Sequence, residues 1–412
     1  MRAQSLLCEA PNATRRRVLL AGGALFGWSY MPKFARAAGG RDPRLVTIIL
    51  RGALDGLSAV APIGDPDYAG LHGALALSRA GEHPALPLDS FFGLNPGMKN
   101  FARMFGERRA AIVHAVATPY RERSHFDGQD VLESGQPGAG NVTSGWLNRA
   151  LEALPKGDRV LAKGGLGVGA VQPLIMRGSA KVTGWAPTQM PPAGDDLSAR
   201  VMDLYGQIDP ALGAALSQGL DIEKIAARQM AGQQQSNGGG EAAYMRRIAE
   251  GAARLIVADD GPRIAALAFD GWDTHANEGG ATGRLATLLA GLDGALEAFE
   301  TGLGDAWKDT IVVAITEFGR TARINGTTGT DHGTGTVAFL AGGAVNGGRV
   351  IADWPGLKDA QLWQSRDLRA TTDLRAILKG VLADHLGLSP AVLGQRVFPE
   401  SMHVGPMKGL VG

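Results

Sequence analysis

Three short clusters of carboxylate, hydroxyl and imidazole groups are the residues of this sequence best suited to chemistry. They lie at 270–275, 316–320 and 330–332, and their candidate metal ligands are Asp273, His275, Glu317, Asp331 and His332. Carboxylate oxygens and imidazole nitrogens bind divalent metals. The first two clusters each follow an apolar run, and open α/β sheets bind ligands beyond the carboxyl ends of their strands. The pattern therefore predicts a metal-assisted hydrolase or a relic of one.

Each cluster also has a simpler interpretation. Asp-Gly and Asp-Thr pairs are common in solvated turns, so Asp273 and His275, with Asp270 nearby, could belong to a turn alone. Arg320 could hold an anionic substrate through two hydrogen bonds, or it could only form an ion pair with Glu317. A single Asp-His pair at 331–332 is weak evidence, and it gains weight as the third cluster.

Further candidates precede these clusters. Asp55 follows the first apolar run and is either a metal ligand or part of an Asp-Gly turn. Ser124 stands at a predicted helix start, with Asp127 at the capping-box position. Because helix N-termini attract oxyanions, Ser124 is either a nucleophile or an ordinary N-cap. His125 beside it could be a ligand, a base or a core residue. Four other histidines are predicted to be structural or surface residues: His72, His83, His114 and His385.

Apolar, often β-branched runs predict the strands that must position these groups. The predicted strands are 45–50, 110–116, 264–269, 309–315 and 337–340. Apolar residues at helical spacing over 285–299 predict an amphipathic helix between the third and fourth strands. This strand-helix-strand order predicts a βαβ unit and a mostly parallel sheet. A second amphipathic helix is predicted over 371–386.

Residues 151–260 are predicted to form a mainly helical insertion that covers one side of the sheet. The predicted helices are around 196–230 and 241–258, and they flank a flexible Gly- and Gln-rich loop at 232–240. The rest of 38–412 is predicted to be a single domain.

Residues 1–37 have the layout of a bacterial export signal. Six Lys or Arg and one acid accompany a mildly apolar run at 18–27 and an Ala-Arg-Ala pattern at 35–37. The segment 14–20 resembles the twin-arginine consensus, and the apolar run is far shorter than the roughly 20 residues that span a bilayer. We predict cleavage near Ala37 and a periplasmic or secreted protein that meets the twin-arginine translocon. A basic tail or an uncleaved anchor is the alternative.

Composition narrows the functions of the mature chain. The 412 residues are 45% hydrophobic and 20% charged, as in ordinary globular proteins. Loss of residues 1–37 removes six basic residues and one acid, which turns the formal net charge of +1 into −4. That charge disfavours a nucleic-acid surface. The only cysteine, Cys8, leaves with the signal, so disulfides and thiolate ligands are excluded.

Several segments together resemble one family of bacterial proteins. They are Leu50-Arg-Gly-Ala-Leu-Asp-Gly-Leu57, Arg123-Ser-His-Phe-Asp127, Asp273-Thr-His-Ala-Asn277, Thr316-Glu-Phe-Gly-Arg320 and Gly329-Thr-Asp-His-Gly333, besides the twin arginines. The chain resembles the twin-arginine-exported proteins grouped as domain of unknown function 1501, which are similar in fold to the alkaline phosphatase and sulfatase superfamily. The resemblance implies an α/β three-layer sandwich with a central, mostly parallel sheet.

The resemblance also implies roles for single residues. Asp55 matches the first-strand metal aspartate of the superfamily, and Ser124 stands where its nucleophilic Ser or Thr lies. Asp273 and His275 resemble a metal-ligand motif of the superfamily, with its spacing shortened to Asp-x-His.

One part of the superfamily pattern is broken in this sequence. Glu317 matches a ligand position and can still bind a metal, but Phe318 replaces an expected histidine. His332 resembles the late histidine ligand. One of two metal positions therefore lacks a ligand unless Asp331 or His125 supplies it.

Two hypotheses follow. The first is a periplasmic hydrolase of phosphate or sulfate esters that uses one or two divalent ions, of zinc, calcium or manganese. Ser124 would serve as nucleophile, and Arg320 would hold the substrate anion. The second is a non-catalytic binding protein of the cell envelope on a degenerate hydrolase fold, which Phe318 favours.

Overall fold

The computed structural model describes residues 42–140, 142–155, 158–169, 171–187 and 240–412. Its strands are β1 (Arg44–Leu50), β2 (Val60–Ala61), β3 (Leu86–Pro87), β4 (Gly93–Leu94), β5 (Ala110–Ala117), β6 (Gly165–Val168), β7 (Val182–Trp185), β8 (Ile264–Phe269), β9 (Thr310–Ile315), β10 (Thr336–Ala341), β11 (Arg349–Ile351) and β12 (Thr372–Asp373).

Its α-helices are α1 (Gly56–Ala59), α2 (Tyr68–His72), α3 (Lys99–Gly106), α4 (His125–Ser134), α5 (Trp146–Glu152), α6 (Arg159–Lys163), α7 (Glu241–Val257), α8 (Arg284–Leu303), α9 (Leu374–Leu386) and α10 (Pro390–Val392). Short 3-10 segments cover Gly73–Leu75, Leu174–Met176 and Gly304–Asp309, and Leu393–Val397 forms a π-helical turn. None of the described helices has the length and apolar character that a membrane crossing requires.

The described strands form a nine-stranded sheet in the order β11-β5-β10-β9-β1-β8-β6-β7, with β12 also paired to β5. Within it, β1 pairs in parallel with β8 and β9, while β10 runs antiparallel to both β5 and β9. A second, small sheet has the order β2-β4-β3. The mixed α/β fold with a mostly parallel central sheet is thereby confirmed.

Helices cover both faces of the central sheet. Along β1, Val46 and Ile48 enter a core that also contains side chains of α3, α7 and α8, whereas Leu45 and Ile49 enter a second core shared with α5 and α9. Because successive side chains of a strand point to opposite faces, a fully buried strand feeds two cores. The architecture is therefore a three-layer sandwich.

All five predicted strands are confirmed as β1, β5, β8, β9 and β10, and the predicted βαβ unit is β8-α8-β9. The last long helix begins at Leu374, three residues later than predicted, because the Asp373 side chain caps it by accepting from the Arg375 backbone nitrogen. The helix predicted over 241–258 is α7.

The segment 151–260 is less helical in its described part than predicted. Its residues include β6 and β7, which extend the central sheet beyond β8 through parallel pairing. Both strands have only four residues, and glycine occupies positions 165 and 167 of β6, so neither carries an apolar pattern that sequence reading detects. The helix expected around 196–230, the loop at 232–240 apart from its last residue, and the signal at 1–37 lie outside the described residues.

Candidate metal centre

The sheet brings three histidines and an aspartate to one edge. His125 is the first residue of α4, which follows β5, and Asp273 and His275 lie just after β8. His332 precedes β10, and β10 runs antiparallel to β5 and β9. Residues that precede an antiparallel strand lie at the same edge as residues that follow its neighbours. The four side chains therefore meet although 207 positions separate His125 from His332.

Their nitrogen and carboxylate oxygen atoms lie close together. The Nε2 atom of His332 lies 2.9 Å from Nε2 of His125 and 2.9 Å from Nε2 of His275. The carboxylate of Asp273 lies 3.5 Å from Nε2 of His125, 3.1 Å from Nε2 of His275 and 3.3 Å from Nε2 of His332. His275 and His332, both candidate ligands from the sequence, thus lie side by side.

The opposite ring nitrogens of the three histidines explain this arrangement. Each Nδ1 faces an oxygen acceptor: Glu317 Oε1 at 2.9 Å from His125, Asp331 Oδ1 at 3.2 Å from His275, and the Arg123 carbonyl at 2.9 Å from His332. A neutral imidazole carries one proton, and an acceptor beside Nδ1 holds that proton there. In that tautomer the Nε2 atoms of His125 and His275 both present lone pairs to Nε2 of His332, an arrangement that a bound cation would stabilise.

The spacing of the donors fits one divalent ion. Tetrahedral ligands at about 2.0–2.1 Å from a metal are separated from one another by about 3.3–3.4 Å. The separations from His332 and Asp273 to the other donors, 2.9 to 3.5 Å, bracket that value. Among the described residues, ligand atoms of His125, Asp273 and His332 all lie within 4.8 Å of one another. His275 is not a member of this group, although its Nε2 lies 3.1 Å from Asp273 and 2.9 Å from His332. The residues present can hold a metal.

Glu317, which was predicted as a ligand, lies behind His125 instead. Its buried carboxylate accepts hydrogen bonds from Nδ1 of His125, from the Gly52 backbone nitrogen at 2.8 Å and from the Thr316 hydroxyl at 2.9 Å. Burial raises the pKa of Glu317, but these hydrogen bonds, chiefly that from His125, lower it by a larger amount, so the pKa of Glu317 lies below its usual value. An ionised Glu317 orients His125 and raises the pKa of that imidazole.

Asp331 has the corresponding position behind His275. Its Oδ1 atom lies 3.2 Å from Nδ1 of His275 and accepts a hydrogen bond of 3.1 Å from the Asn325 amide. Carboxylate-histidine pairs of this kind fix the tautomer of a metal-binding imidazole. Glu317 and Asp331 therefore lie behind the imidazoles of His125 and His275, two candidate metal ligands.

Arg320 is committed to Asp273. One of its Nη atoms lies 2.5 Å from Oδ1 of Asp273, and its Nε and other Nη atoms donate to Thr330. Burial raises the pKa of Asp273, while the hydrogen bond and charge of Arg320 lower it by more, so Asp273 is ionised. The Arg320 side chain is fully buried. This geometry differs from both expectations, contact with a substrate anion and an ion pair with Glu317.

Asp55, another predicted ligand, belongs to a separate buried group. It caps α1 through the Leu57 backbone nitrogen at 2.9 Å, and its other oxygen lies 3.1 Å from Nε2 of His72. The same His72 nitrogen lies 2.8 Å from the Ser58 hydroxyl. Burial opposes both charges, but the mutual attraction dominates, which lowers the pKa of Asp55 and raises that of His72. Asp55 is thus engaged by His72 and not by the three converging imidazoles.

Ser124 starts α4 as predicted, but its side chain makes no capping hydrogen bond. Its backbone nitrogen donates instead to the Tyr120 hydroxyl at 3.1 Å, and that hydroxyl donates to Asp127 at 3.4 Å. The expected capping box is therefore wrong. The Ser124 hydroxyl stands one residue before His125, at the positive end of a ten-residue helix.

Comparison with known proteins identifies the family. Residues 109–397 match the family described as "Protein of unknown function (DUF1501)". This chain belongs to that family. No curated protein matches it.

Solved structures give two partial likenesses to this DUF1501 chain. One is a structure titled "Crystal structure of Ps i-CgsB in complex with k-i-k-neocarrahexaose", which is 11% identical in sequence. The match covers 90% of this chain and 76% of the other chain, with a TM-score of 0.41. The phosphonate monoester hydrolase of Agrobacterium radiobacter is 11% identical, covers 84% of this chain and 74% of its own, and has a TM-score of 0.34.

Phe318 has a supporting role in this DUF1501 centre. Its buried ring stacks on His125 with centroids 5.0 Å apart and lies 5.4 Å from the ring of His332. A Cβ atom at Gly128 would lie 2.9 Å from the Phe318 ring, so the missing side chain at Gly128 lets α4 approach. The place of an expected histidine is filled by an aromatic ring that packs against two candidate ligands.

The sequence left the role of His125 open between a ligand, a base and a core residue. The one local signal was its place directly after Ser124 at a helix start. Which ring nitrogen faces the centre depends on Glu317, a residue 192 positions away.

Proposed function

We propose that this protein is an exported metal-dependent hydrolase of phosphate or sulfate esters. One divalent ion would be held by Nε2 of His125, His275 and His332 and by the carboxylate of Asp273. The observation that carries the proposal is the common direction of the three imidazoles, each with its Nδ1 against an oxygen acceptor.

The donor set favours zinc among the divalent ions. Three imidazoles and one carboxylate suit zinc and neighbouring transition metals, whereas calcium and magnesium take mostly oxygen ligands. A single ion is proposed because the two nearest carboxylates, Glu317 and Asp331, are occupied at Nδ1 of His125 and His275.

The side chains around the centre divide the remaining tasks. When bound, the ion would supply Lewis acidity that polarises an ester oxygen and acidifies a water molecule. The side chains of Asp273 and His275 are 41% and 44% exposed, so a substrate would approach from their side. Arg320 holds Asp273 in place, and the Ser124 hydroxyl at the start of α4 is the candidate nucleophile besides water.

A non-catalytic metal-binding protein is the second candidate, and the ligand count favours it. Four protein ligands can close a tetrahedral site, as in structural zinc sites, whereas catalytic zinc usually keeps a position open. The full burial of Arg320 also removes the cation that was expected to contact a substrate anion.

Metal analysis combined with a turnover assay tests the proposal. The purified protein should contain about one zinc per chain and hydrolyse 4-nitrophenyl phosphate or 4-nitrophenyl sulfate. His275→Ala with His332→Ala should abolish both properties, while His83→Ala, at a half-exposed histidine outside the centre, should change neither. Absence of metal from the wild-type protein after zinc incubation would refute the proposal, and metal without turnover would select the second candidate. Ser124→Ala separates a serine nucleophile from attack by water.

A further inference from the structure

We propose that Asp367 is a positioning residue for the metal ligand His332, through the backbone of Arg123. This inference rests on the proposed metal centre. Asp367 has no exposed surface, and no sequence motif pointed to it.

The first step is the contact between Asp367 and Arg123. Oδ2 of Asp367 accepts hydrogen bonds from Nε of Arg123 at 2.9 Å and from Nη2 at 2.7 Å. The same Nη2 atom donates to the Gln364 side chain at 2.7 Å. The Arg123 side chain is thus held along its whole guanidinium edge, and a charged hydrogen-bonded pair of this kind is strongly oriented.

The second step is the backbone of Arg123. Its φ angle is 63°, a left-handed conformation that is unfavourable for a residue with a side chain and that persists only where surrounding contacts enforce it. The clamp by Asp367 supplies such contacts. In this conformation the Arg123 carbonyl accepts the hydrogen bond from Nδ1 of His332 at 2.9 Å.

The third step is that Asp367 also fixes the chain on the other side of His332. The Thr334 hydroxyl, two residues after the ligand, donates to Oδ2 of Asp367 at 2.9 Å. One buried carboxylate oxygen therefore joins the segment that carries the acceptor for His332 to the segment that carries His332 itself. Loss of the Asp367 charge should loosen both segments at once. Nδ1 of His332 would then no longer be held against its acceptor, and the direction of its Nε2 would no longer be fixed.

Zinc affinity of conservative variants of the full chain tests this inference. Asp367→Asn keeps the size of the side chain and should raise the zinc dissociation constant, measured by chelator competition, by about 10- to 100-fold. Arg123→Met should have a similar effect, and the double variant should lose no more than the more affected single variant, because both act through one contact. Asp359→Asn, at the exposed ion pair with Arg323, is the matched control and should leave the affinity unchanged.

Two further readouts separate positioning from a loss of folding. The visible spectrum of the cobalt-loaded protein should change in Asp367→Asn, since the ligand field depends on the direction of His332. Imidazole ¹⁵N NMR of the metal-free protein should show His332 protonated at Nδ1 in the wild type and no longer fixed in that tautomer in Asp367→Asn. This tautomer measurement tests the inference even in a protein that binds no zinc.

Unchanged zinc affinity and an unchanged tautomer in Asp367→Asn would overturn the inference while the metal centre stands. A wild-type protein without zinc binding, but with the tautomer change, would overturn the proposed function while the role of Asp367 stands. Additive losses in the double variant would show that Asp367 and Arg123 act separately, against the inference.

Discussion

Nδ1 of His125 lies 2.9 Å from the buried carboxylate of Glu317. Glu317, which the sequence predicted as a metal ligand, therefore orients His125, another candidate ligand. The pair resembles the carboxylate-histidine arrangement found behind bound metals in general. It also accounts for the burial of a charge, because Glu317 accepts from a backbone nitrogen and a hydroxyl in addition to the imidazole.

Removal of the charge of Glu317 should weaken metal binding. Glu317→Gln retains an acceptor but not the charge, so we expect zinc affinity to fall by about 10- to 100-fold. Chelator competition measures the change. Glu82→Gln is the matched control, because Glu82 lies beside His83 on the exposed surface at 4.0 Å and should not affect affinity. Equal zinc affinity of Glu317→Gln and wild type would contradict the supporting role.

Phe318 should affect metal affinity as well as the stability of the core. Phe318→Leu removes the ring that stacks on His125, and we expect both lower zinc affinity and a loss of about 1–3 kcal/mol in the free energy of unfolding. Phe339→Leu, in the core that also contains side chains of α3, α7 and α8, should lower stability by a similar amount without changing the zinc affinity. Calorimetric zinc titration and urea unfolding measure the two quantities. A parallel loss of affinity in both variants would argue against a special role of Phe318.

Gly128 and Gly294 should respond in opposite directions to alanine. Both lie in helices, where alanine is favoured over glycine by roughly 1 kcal/mol. At Gly294 the nearest atom to an added Cβ is 4.0 Å away, so Gly294→Ala should stabilise the protein. At Gly128 the added Cβ would lie 2.9 Å from the Phe318 ring, which is held between packed neighbours, so Gly128→Ala should destabilise it. Thermal unfolding decides, and a stabilised Gly128→Ala variant would refute the tight contact.

The stability of the fold should decrease as the pH rises above about 4.5, because of Glu278. Burial, together with the charge of Asp55, raises the pKa of Glu278 to about 9. A carboxyl group that is protonated in the folded protein but ionised in the unfolded chain binds more protons when folded, so stability falls as pH rises from the unfolded value near 4.5 towards 9.

Glu278→Gln should remove this dependence, since the amide imitates the protonated acid. Urea unfolding at pH 5, 7 and 9 should show a decline for the wild type and a flatter profile for the variant. Identical pH profiles of the two proteins would show that Glu278 is ionised in the fold.

Much of the fold was predictable because its central strands are buried on both faces. Runs such as Leu45–Leu50 and Thr310–Ile315 are apolar except for one threonine each, and their alternation with one long amphipathic helix predicts parallel pairing. The edge strands β6 and β7 were missed because they are short and glycine-containing, so their structure comes from pairing with β8 rather than from local pattern.

The candidate site was predictable in its location but not in its division of roles. Asp273, His275 and His332 follow or precede recognisable strands, so their meeting at one edge could be predicted. Whether a carboxylate such as Glu317 binds an ion or an imidazole depends on distances between segments, which spacing along the chain does not record. Asp55 shows the same limit, because its partner His72 lies on a short helix without a distinctive pattern.

The antiparallel direction of β10 has a consequence for the order of events in the cell. The ligands come from three segments of the chain, and the first and last are joined only when β10 is inserted between β5 and β9. An unfolded chain would have to close loops of 148 and 57 residues to form the same centre. Metal capture would therefore accompany folding, and the ion would be chosen in the compartment where the sheet closes. If the twin-arginine export expected from the sequence takes place after folding, that compartment would be the cytoplasm.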